Sequence, residues 1–360
     1  MLAVILILSE KRCRQVDVLT EKKKVTMREV AAAAGVTIGT VSHVINGTAS
    51  ISEKTKEEVW RVIREMGYSP NPMAQYMRSK KSRILGLFVP DLTNIFFAKT
   101  ASVFANLAYE NGYTVLILEN AYSEEKEKQN VQILVRNRAD AAVVLCGFLN
   151  HSHEKELLEK KIQIVYADCE SDCKEIPSIS FENRTVMNQI ADYAKERGYS
   201  SIGYFSEPLA LDNLSTRFAS YCEALEKNGI PYRKEHIFLS EKLSKDHLKN
   251  GYIYMKEILM SHKIEELPKL WLTSSDLSAI GAIRALKEAG LRIPEDMAVI
   301  GWDDLEISES IFPSLTTVHQ DQTELGKKSW ELLMKLLKDE TWNHVVLEQN
   351  MIFRDSCPEK

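Results

Sequence analysis

Residues 25–47 read VTMREVAAAAGVTIGTVSHVING, and the capping residues and glycines inside this stretch decide the first domain. Thr26 can cap a helix that begins at Met27, and Glu29 three positions later completes a capping box. The run MREVAAAA is dense in strong helix formers, and Gly35 supplies the left-handed residue that ends it. Thr37 then caps a second helix, IGTVSHVI, closed by Asn46 and Gly47. Within it Val41, Val44 and Ile45 recur at helical spacing and face a core, which leaves Ile38, Gly39, Ser42, His43 and Asn46 on the other face. A third helix runs from a Ser52 cap to Met66, buries Val59, Val62 and Ile63, and stops at Gly67. Two short helices joined by a tight glycine turn describe a helix-turn-helix, a unit that lays its second helix in the major groove of DNA. A plain three-helix bundle is the alternative that the pattern alone leaves open.

Charge separates this end from the rest. The 360 residues carry a formal net charge of -5, yet residues 11–83 hold 15 Lys/Arg against 7 Asp/Glu, a net of +8, so the remainder is net −13. A basic end on an acidic body points to one end that meets a polyanion, with phosphate neutralisation supplying most of the affinity. The apolar opening, residues 1–8, has no basic segment before it and is too short to span a bilayer, so residues 1–24 are expected to be a disordered extension with no membrane partner, a helical pad or residues added by an upstream start codon being the alternatives. Six scattered cysteines (13, 146, 169, 173, 222 and 357) form no metal-ligand spacing, which fits a reducing, cytoplasmic setting with no structural metal and no cofactor.

The opening motif and its continuation, SEKTKEEVWRVIREMGYSPNPMAQYMRSK (52–80), resemble the DNA-binding head and hinge of the lactose-repressor (LacI/GalR) family of bacterial transcription regulators. The likeness extends through ILGLFVPDLTNIFF (84–97), SSDLSAIGAIRALKEAGLRIPEDMAVIGWDD (274–304) and PSLTTVHQ (313–320), so it covers about residues 25–355. It implies a head over 25–70 that contacts DNA through Thr26, Thr37, Ile38, Gly39, Thr40, Ser42, His43, Asn46 and Tyr68, with base preference set chiefly at Ile38 and Gly39. An apolar side chain and none at all make hydrogen-bond readout there poor, although Ile38 can meet a thymine methyl and His43 a purine N7. The resemblance further implies a hinge helix within 71–82. Asn71 and Ala74 would lie against DNA, and Met77 would wedge into a central minor-groove step where relatives carry leucine.

Beyond Arg83 the chain alternates apolar runs (ILGLFV, YTVLIL, AAVVLC, IQIVYA, then SIGYF, HIFL, KLWLT, MAVIGW) with amphipathic helices, which is the pattern of a doubly wound α/β body in two successive units. The family likeness implies a two-lobed type I periplasmic-binding-protein-like core over 83–360. Its N-lobe would span 83–181 and 318–340 and its C-lobe 183–314 and 343–358, with crossings near 181–183, 314–318 and 340–343. Ligands of such folds sit beyond the carboxyl ends of the strands. That places Phe96, Phe97, Asn120, Asp168, Arg217, Asp276 and Trp302 as effector contacts, with Asp276 and Arg217 foremost, while Asp303-Asp304 reads as a turn. Phe181 stands where relatives often carry aspartate, so the contact set is expected to differ there.

No Gly-x-Gly-x-x-Gly follows a strand, LGKKS (325–329) lacks the first glycine of a phosphate loop, and no Gly-x-Ser-x-Gly elbow occurs, so no enzyme is indicated. The expected partners are double-stranded operator DNA, a second copy of the chain, and a small-molecule effector of carbohydrate type. A regulator of the same fold controlled by a phosphocarrier protein is the alternative. Met77→Gly should lower operator affinity at least tenfold in a gel-shift titration while leaving core unfolding unchanged; affinity equal to the parent would remove the wedge.

Overall fold

A computed structural model of the chain describes residues 25–46, 49–68, 81–148, 154–169 and 175–359. The amino-terminal extension and the expected hinge helix, with Asn71, Ala74 and Met77, lie outside the described residues. The chain divides between Ser82 and Arg83 into two compact units.

In the first unit the helices α1 (Met27–Ala33), α2 (Ile38–Asn46) and α3 (Glu53–Met66) start where capping chemistry places them. Thr26 Oγ1 accepts from the Glu29 amide at 3.3 Å while Glu29 Oε2 accepts from the Thr26 amide at 2.7 Å, so the capping box is complete. Thr37 Oγ1 accepts from the Thr40 amide at 3.1 Å, and Gly35 and Gly67 turn the chain at φ 65° and 63°. The helices enclose Val30, Ala31, Val41, Val44, Val59, Val62 and Ile63. So small a core leaves the caps, each about 1 kcal/mol, a large share of the unit's stability.

The second unit alternates β1 (Ile84–Val89), α4 (Ile95–Glu110), β2 (Thr114–Glu119), α5 (Glu124–Asn137), β3 (Ala141–Leu145), α6 (Glu154–Glu159), β4 (Gln163–Ala167) and β5 (Ser178–Phe181). The pattern repeats with α7 (Asn183–Glu196), β6 (Ile202–Ser206), α8 (Asp212–Asn228), β7 (Ile237–Leu239), α9 (His247–Ser261), β8 (Leu270–Thr273), α10 (Asp276–Glu288), β9 (Ala298–Asp303), α11 (Ile307–Ser310) and β10 (Thr316–His319). Helix α12 (Gln322–Leu337) and strands β11 (Val345–Leu347) and β12 (Asn350–Ile352) follow. Two six-stranded sheets result, ordered β11-β5-β4-β3-β1-β2 and β12-β10-β9-β8-β6-β7. Every pairing is parallel except β10 with β12. Strands β3, β6 and β9 are buried at every residue, which is why their sequences run apolar without alternation.

Two of the expected crossings lie further along the chain. Strand β10 pairs in parallel with β9, so residues 316–319 belong to the second lobe and the return falls at Gln320 and Asp321 rather than 314–318. Strand β11 pairs in parallel with β5, so Val345–Leu347 sits in the first sheet and the last crossing falls between Leu347 and Asn350 rather than at 340–343. Both strands are short, and their local sequences, TTVH and VVL, carry little periodic signal.

Helices α9 and α10 touch backbone to backbone through a glycine on each. A Cβ on Gly281 would stand 2.2 Å from the Leu248 carbonyl oxygen and 2.6 Å from the Tyr252 nitrogen, and one on Gly251 would stand 2.5 Å from the Ser278 carbonyl oxygen. Gly281→Ala should therefore cost about 3 kcal/mol, read as a lower urea midpoint with an unchanged slope. A loss no larger than that of a surface change, about 0.5 kcal/mol, would show that the helices can part freely.

Candidate functional site

On the head, Ile38 is 42% exposed, and Thr37, Gly39 and His43 are exposed beside it, so the amino-terminal end of α2 presents a short outward face. Thr37 and Thr40 share a hydroxyl contact of 2.9 Å, and Thr26 Oγ1 donates to Glu29 Oε2 at 2.9 Å, so these hydroxyls already serve the helix caps. Ser42 departs from the expected outward face: it is 6% exposed, short enough to be covered where that face meets the core. Tyr68 packs half-buried against the head core, and Asn46 ends α2.

In the second unit the parallel strands bring their carboxyl ends to one cleft. Asp91 follows β1, Asp168 follows β4, Glu207 follows β6, Ser274 and Ser275 follow β8, Asp303 ends β9 and Gln320 follows β10. All of these except Asp91 line a narrow cavity with ≈ 30 Å³ of room for the centres of water-sized molecules, inside a region of ≈ 380 Å³ that includes open solvent. Phe96, Phe97, Asp168 and Arg217 of the expected set line it, with the two phenyl rings edge to face at 5.4 Å. Arg217 lies with its guanidinium 4.1 Å above the Trp302 ring and donates through Nη1 to the Ser274 carbonyl at 2.9 Å. Its pose is therefore fixed from two sides.

Three expected residues are not in the lining. Trp302 is fully buried beneath Arg217 and acts as its platform. Asn120 donates to Glu127 Oε2 at 2.9 Å and accepts from the Tyr122 amide at 3.1 Å, so it holds the loop after β2. Asp276 accepts from the Leu305 amide at 2.8 Å, from Ser308 Oγ at 2.6 Å and from Thr317 Oγ1. With both oxygens engaged it pins the 305–308 segment to β10 from behind the cavity, and burial pushes its carboxyl up to about 6. Phe181, the noted departure, is buried in the first lobe's core.

Of Asp276 and Asp303 it is Asp303 that lines the cavity, and it is no surface turn. Its φ of 116° aims the side chain inward, its backbone carbonyl accepts from Gln322 Nε2 at 2.6 Å, and its residue is 5% exposed. Burial, followed by the neighbouring Asp276, holds its carboxyl well above the ordinary range, while Arg217 opposes the shift. Its neighbour Asp304 turns outward to His319 and Arg354 at 2.8 and 2.7 Å. Asp303 Oδ2, Asn213 Oδ1, Arg217 Nε and both amide atoms of Gln320 are buried and make no hydrogen bond among the described residues. Such a set of polar atoms around a cavity that also holds two phenyl rings suits a small molecule with one polar and one apolar face.

The sequence reading also missed Asn213, Glu207 and His247. Asn213 Nδ2 donates to Asp168 Oδ2 at 2.8 Å and lies 3.2 Å from Cys146 Sγ, which itself donates to Asp168 at 3.1 Å, so this cluster ties the lobes together. His247 approaches Glu207 Oε1 through Nδ1 at 3.1 Å and Asp91 Oδ2 of the other lobe through Nε2 at 3.8 Å. The only local signal for Glu207 is its place directly after an apolar strand. His247 opens a helix, with nothing in its neighbourhood to mark it.

Among the described residues no helix is long and apolar enough to cross a membrane, and no cluster of His, Cys, Asp and Glu could hold a metal ion. Residues 26–71 match the family described as bacterial regulatory proteins, lacI family, and residues 191–357 match the periplasmic binding protein-like domain. The HTH-type transcriptional repressor PurR of Vibrio vulnificus is 30% identical over 345 residues, which cover 92% of this chain and 98% of that one. The lac repressor dimer bound to operator and the anti-inducer ONPF is similar with a TM-score of 0.79 at 25% identity, over 93% of this chain and 100% of that one. The complex of the transcriptional regulator CelR with cellobiose is similar with a TM-score of 0.67 at 26% identity, over 92% of this chain and 99% of that one. A capped helix-turn-helix unit, a two-sheet core and a likeness that runs through both place this DNA-binding transcriptional regulator in the lacI family of bacterial regulatory proteins.

Proposed function

We propose that the chain is a cytoplasmic repressor that grips a pseudo-palindromic operator as a homodimer and changes its grip when a small polyhydroxylated molecule, of carbohydrate type, occupies the cleft. The observation that carries this reading is the meeting, in one cavity, of buried polar atoms without protein partners (Asp303, Asn213, Arg217, Gln320) with the Phe96–Phe97 pair. Sugars present hydroxyls at their edges and C–H groups on their faces, and both needs are met here. The lac repressor dimer seated on operator and the CelR complex with cellobiose, each similar along nearly the whole chain, support the same assignment. On the head, Ile38, Gly39 and His43 would enter the major groove, with Thr26, Thr37, Thr40, Ser42, Asn46 and Tyr68 as surrounding contacts. Asn71, Ala74 and Met77 would engage the minor groove. In the core, Phe96, Phe97, Asp168, Arg217 and Asp303 would hold the effector. Trp302 would act through Arg217, and Asn120 and Asp276 through the loops they fix. A ligand can move the lobes only by favouring one arrangement over the other.

Operator sites chosen from a randomised oligonucleotide pool should bind the full chain, and a sugar panel should contain one member that alters that binding. Asp303→Ala should keep the DNA affinity of the parent and lose at least about tenfold in sugar sensitivity. A mutant that responds like the parent would refute the placement. A core that ignores every sugar but binds a serine-phosphorylated phosphocarrier protein in calorimetry would replace the effector with a protein.

The contact between lobes at His247 is expected to depend on pH. Burial disfavours charge on His247, but Glu207 and Asp91 outweigh it and raise its pKa above the ordinary 6.5, so its contribution is full below 6.5 and lost as pH climbs through the higher folded value. Burial acts against charge on Glu207 too, yet His247 holds its pKa below the ordinary 4.5, so that contribution is full above 4.5 and lost on acidification. The pair therefore stabilises most between 4.5 and 6.5. Core stability should fall above pH 6.5 with a slope of at most about 1.4 kcal/mol per pH unit, and His247→Gln should flatten the fall; parallel curves for mutant and parent would remove His247 as its source.

A further inference from the structure

We infer that the cleft selects an effector without any anionic group, a neutral or aminated polyol, and excludes sugar phosphates and sugar acids, with Glu207 as a determinant of that choice. The inference rests on the reading of the cavity as a polyol site and adds the charge class of the ligand. Among the described residues three carboxyl side chains line the cavity, Asp168, Glu207 and Asp303, and Arg217 is the one Lys or Arg side chain that does so. Arg217 is held in place, though not fully partnered: its face lies on Trp302, its Nη1 donates to the Ser274 carbonyl, and its charge favours the ionised form of Asp168. His247, cationic when protonated, stands between Glu207 at 3.1 Å and Asp91 at 3.8 Å, so its charge is then matched by two carboxylates before any ligand arrives.

An anionic ligand would thus set its charge beside three carboxyl side chains, where Arg217 Nε, Gln320 Nε2 and Ser274 Oγ are buried donors that make no hydrogen bond among the described residues, and of these three only Arg217 brings a full positive charge. A charge set beside like charges is disfavoured, most of all where burial weakens screening. The acceptors left over, Asn213 Oδ1 and Gln320 Oε1, with Asp303 Oδ2 once that carboxyl ionises, ask instead for hydroxyl or amine hydrogens. A protonated amine has an added advantage, since it would let Asp303 ionise beside it.

The test is calorimetry of the full chain with matched sets. Glucose, galactose and cellobiose are the neutral parents, glucosamine and galactosamine the aminated forms, and glucose 6-phosphate, galactose 6-phosphate, glucuronate and galacturonate the anionic ones. At least one parent or aminated form should bind, with its phosphate and acid counterparts at least about 100-fold weaker. A phosphate or acid that binds as tightly as its parent would overturn the inference while leaving the polyol site intact. Failure of every compound to bind would overturn the polyol reading itself, and the inference with it. Glu207→Gln should narrow the gap between neutral and anionic members at least about tenfold. An unchanged gap in a folded mutant would remove Glu207 as a determinant, and the parent's own rank order decides the charge class should that variant not fold.

Discussion

A parallel strand can be followed by its neighbour only if the chain climbs back over one face, so all strands of such a sheet end on the same edge. This constraint governs the core. Each sheet delivers the residues that follow its strands to one rim, and three crossings between the sheets set the two rims against each other. Asp91 and Asp168 on one side, and Glu207, Ser274, Asp303 and Gln320 on the other, meet because of where their strands end. Side-chain chemistry is then decided locally, by what lies behind each rim residue. Trp302 fixes Arg217 from below, and Gln322 fixes the Asp303 carbonyl from the side.

The head obeys a different economy. Its core is a handful of valines with one alanine and one isoleucine, and hydrogen bonds at helix ends carry much of what packing cannot. The residues that start the helices are therefore the most informative letters in that part of the sequence. Thr26, Thr37 and Ser52 each accept from the amide three positions on, as the capping pattern predicts. The same economy explains Ser42. In a unit this small the boundary between inside and outside is narrow, and a short side chain at the margin is covered while His43 next to it is exposed.

What the sequence revealed follows from which signals are local. Runs such as AAVVL and AVIGWD are buried on both faces and announce themselves as strands. TTVH and VVL are strands only because β9 and β5 offer them an edge, so the second and third crossings were displaced. The exchange of Asp276 for Asp303 has a similar cause. Both are aspartates near the ends of neighbouring strands, and no local pattern tells which one turns toward the cavity. Thr317 and Ser308, some thirty to forty positions away, decide it by capturing Asp276. The pairing of His247 with Glu207 and Asp91 joins three elements far apart in the chain and leaves no trace in any one of them.

The division of labour between the lobes bears on how a ligand could act. The first lobe offers the cavity its rings, Phe96, Phe97 and Tyr122, whereas the second offers nearly all the polar atoms that lack protein partners. Contacts made by the protein alone already join the lobes, through Asn213 to Asp168, the Asp212 amide to the Gly147 carbonyl, and His247 to Asp91. Occupancy can therefore change the balance only through groups these contacts leave unused. Gln320 is the most telling of them, because it lies in the second crossing itself and is 1% exposed with both amide atoms unpartnered. Its backbone carbonyl accepts from Gln322 Nε2 at 2.6 Å, the same nitrogen that holds the Asp303 carbonyl at 2.6 Å. A ligand that engages both Asp303 and Gln320 would pull on one short tether that is also the connection between the lobes. Its affinity for two lobe angles could then not be equal, and unequal affinity is what allows a bound molecule to shift a conformational balance.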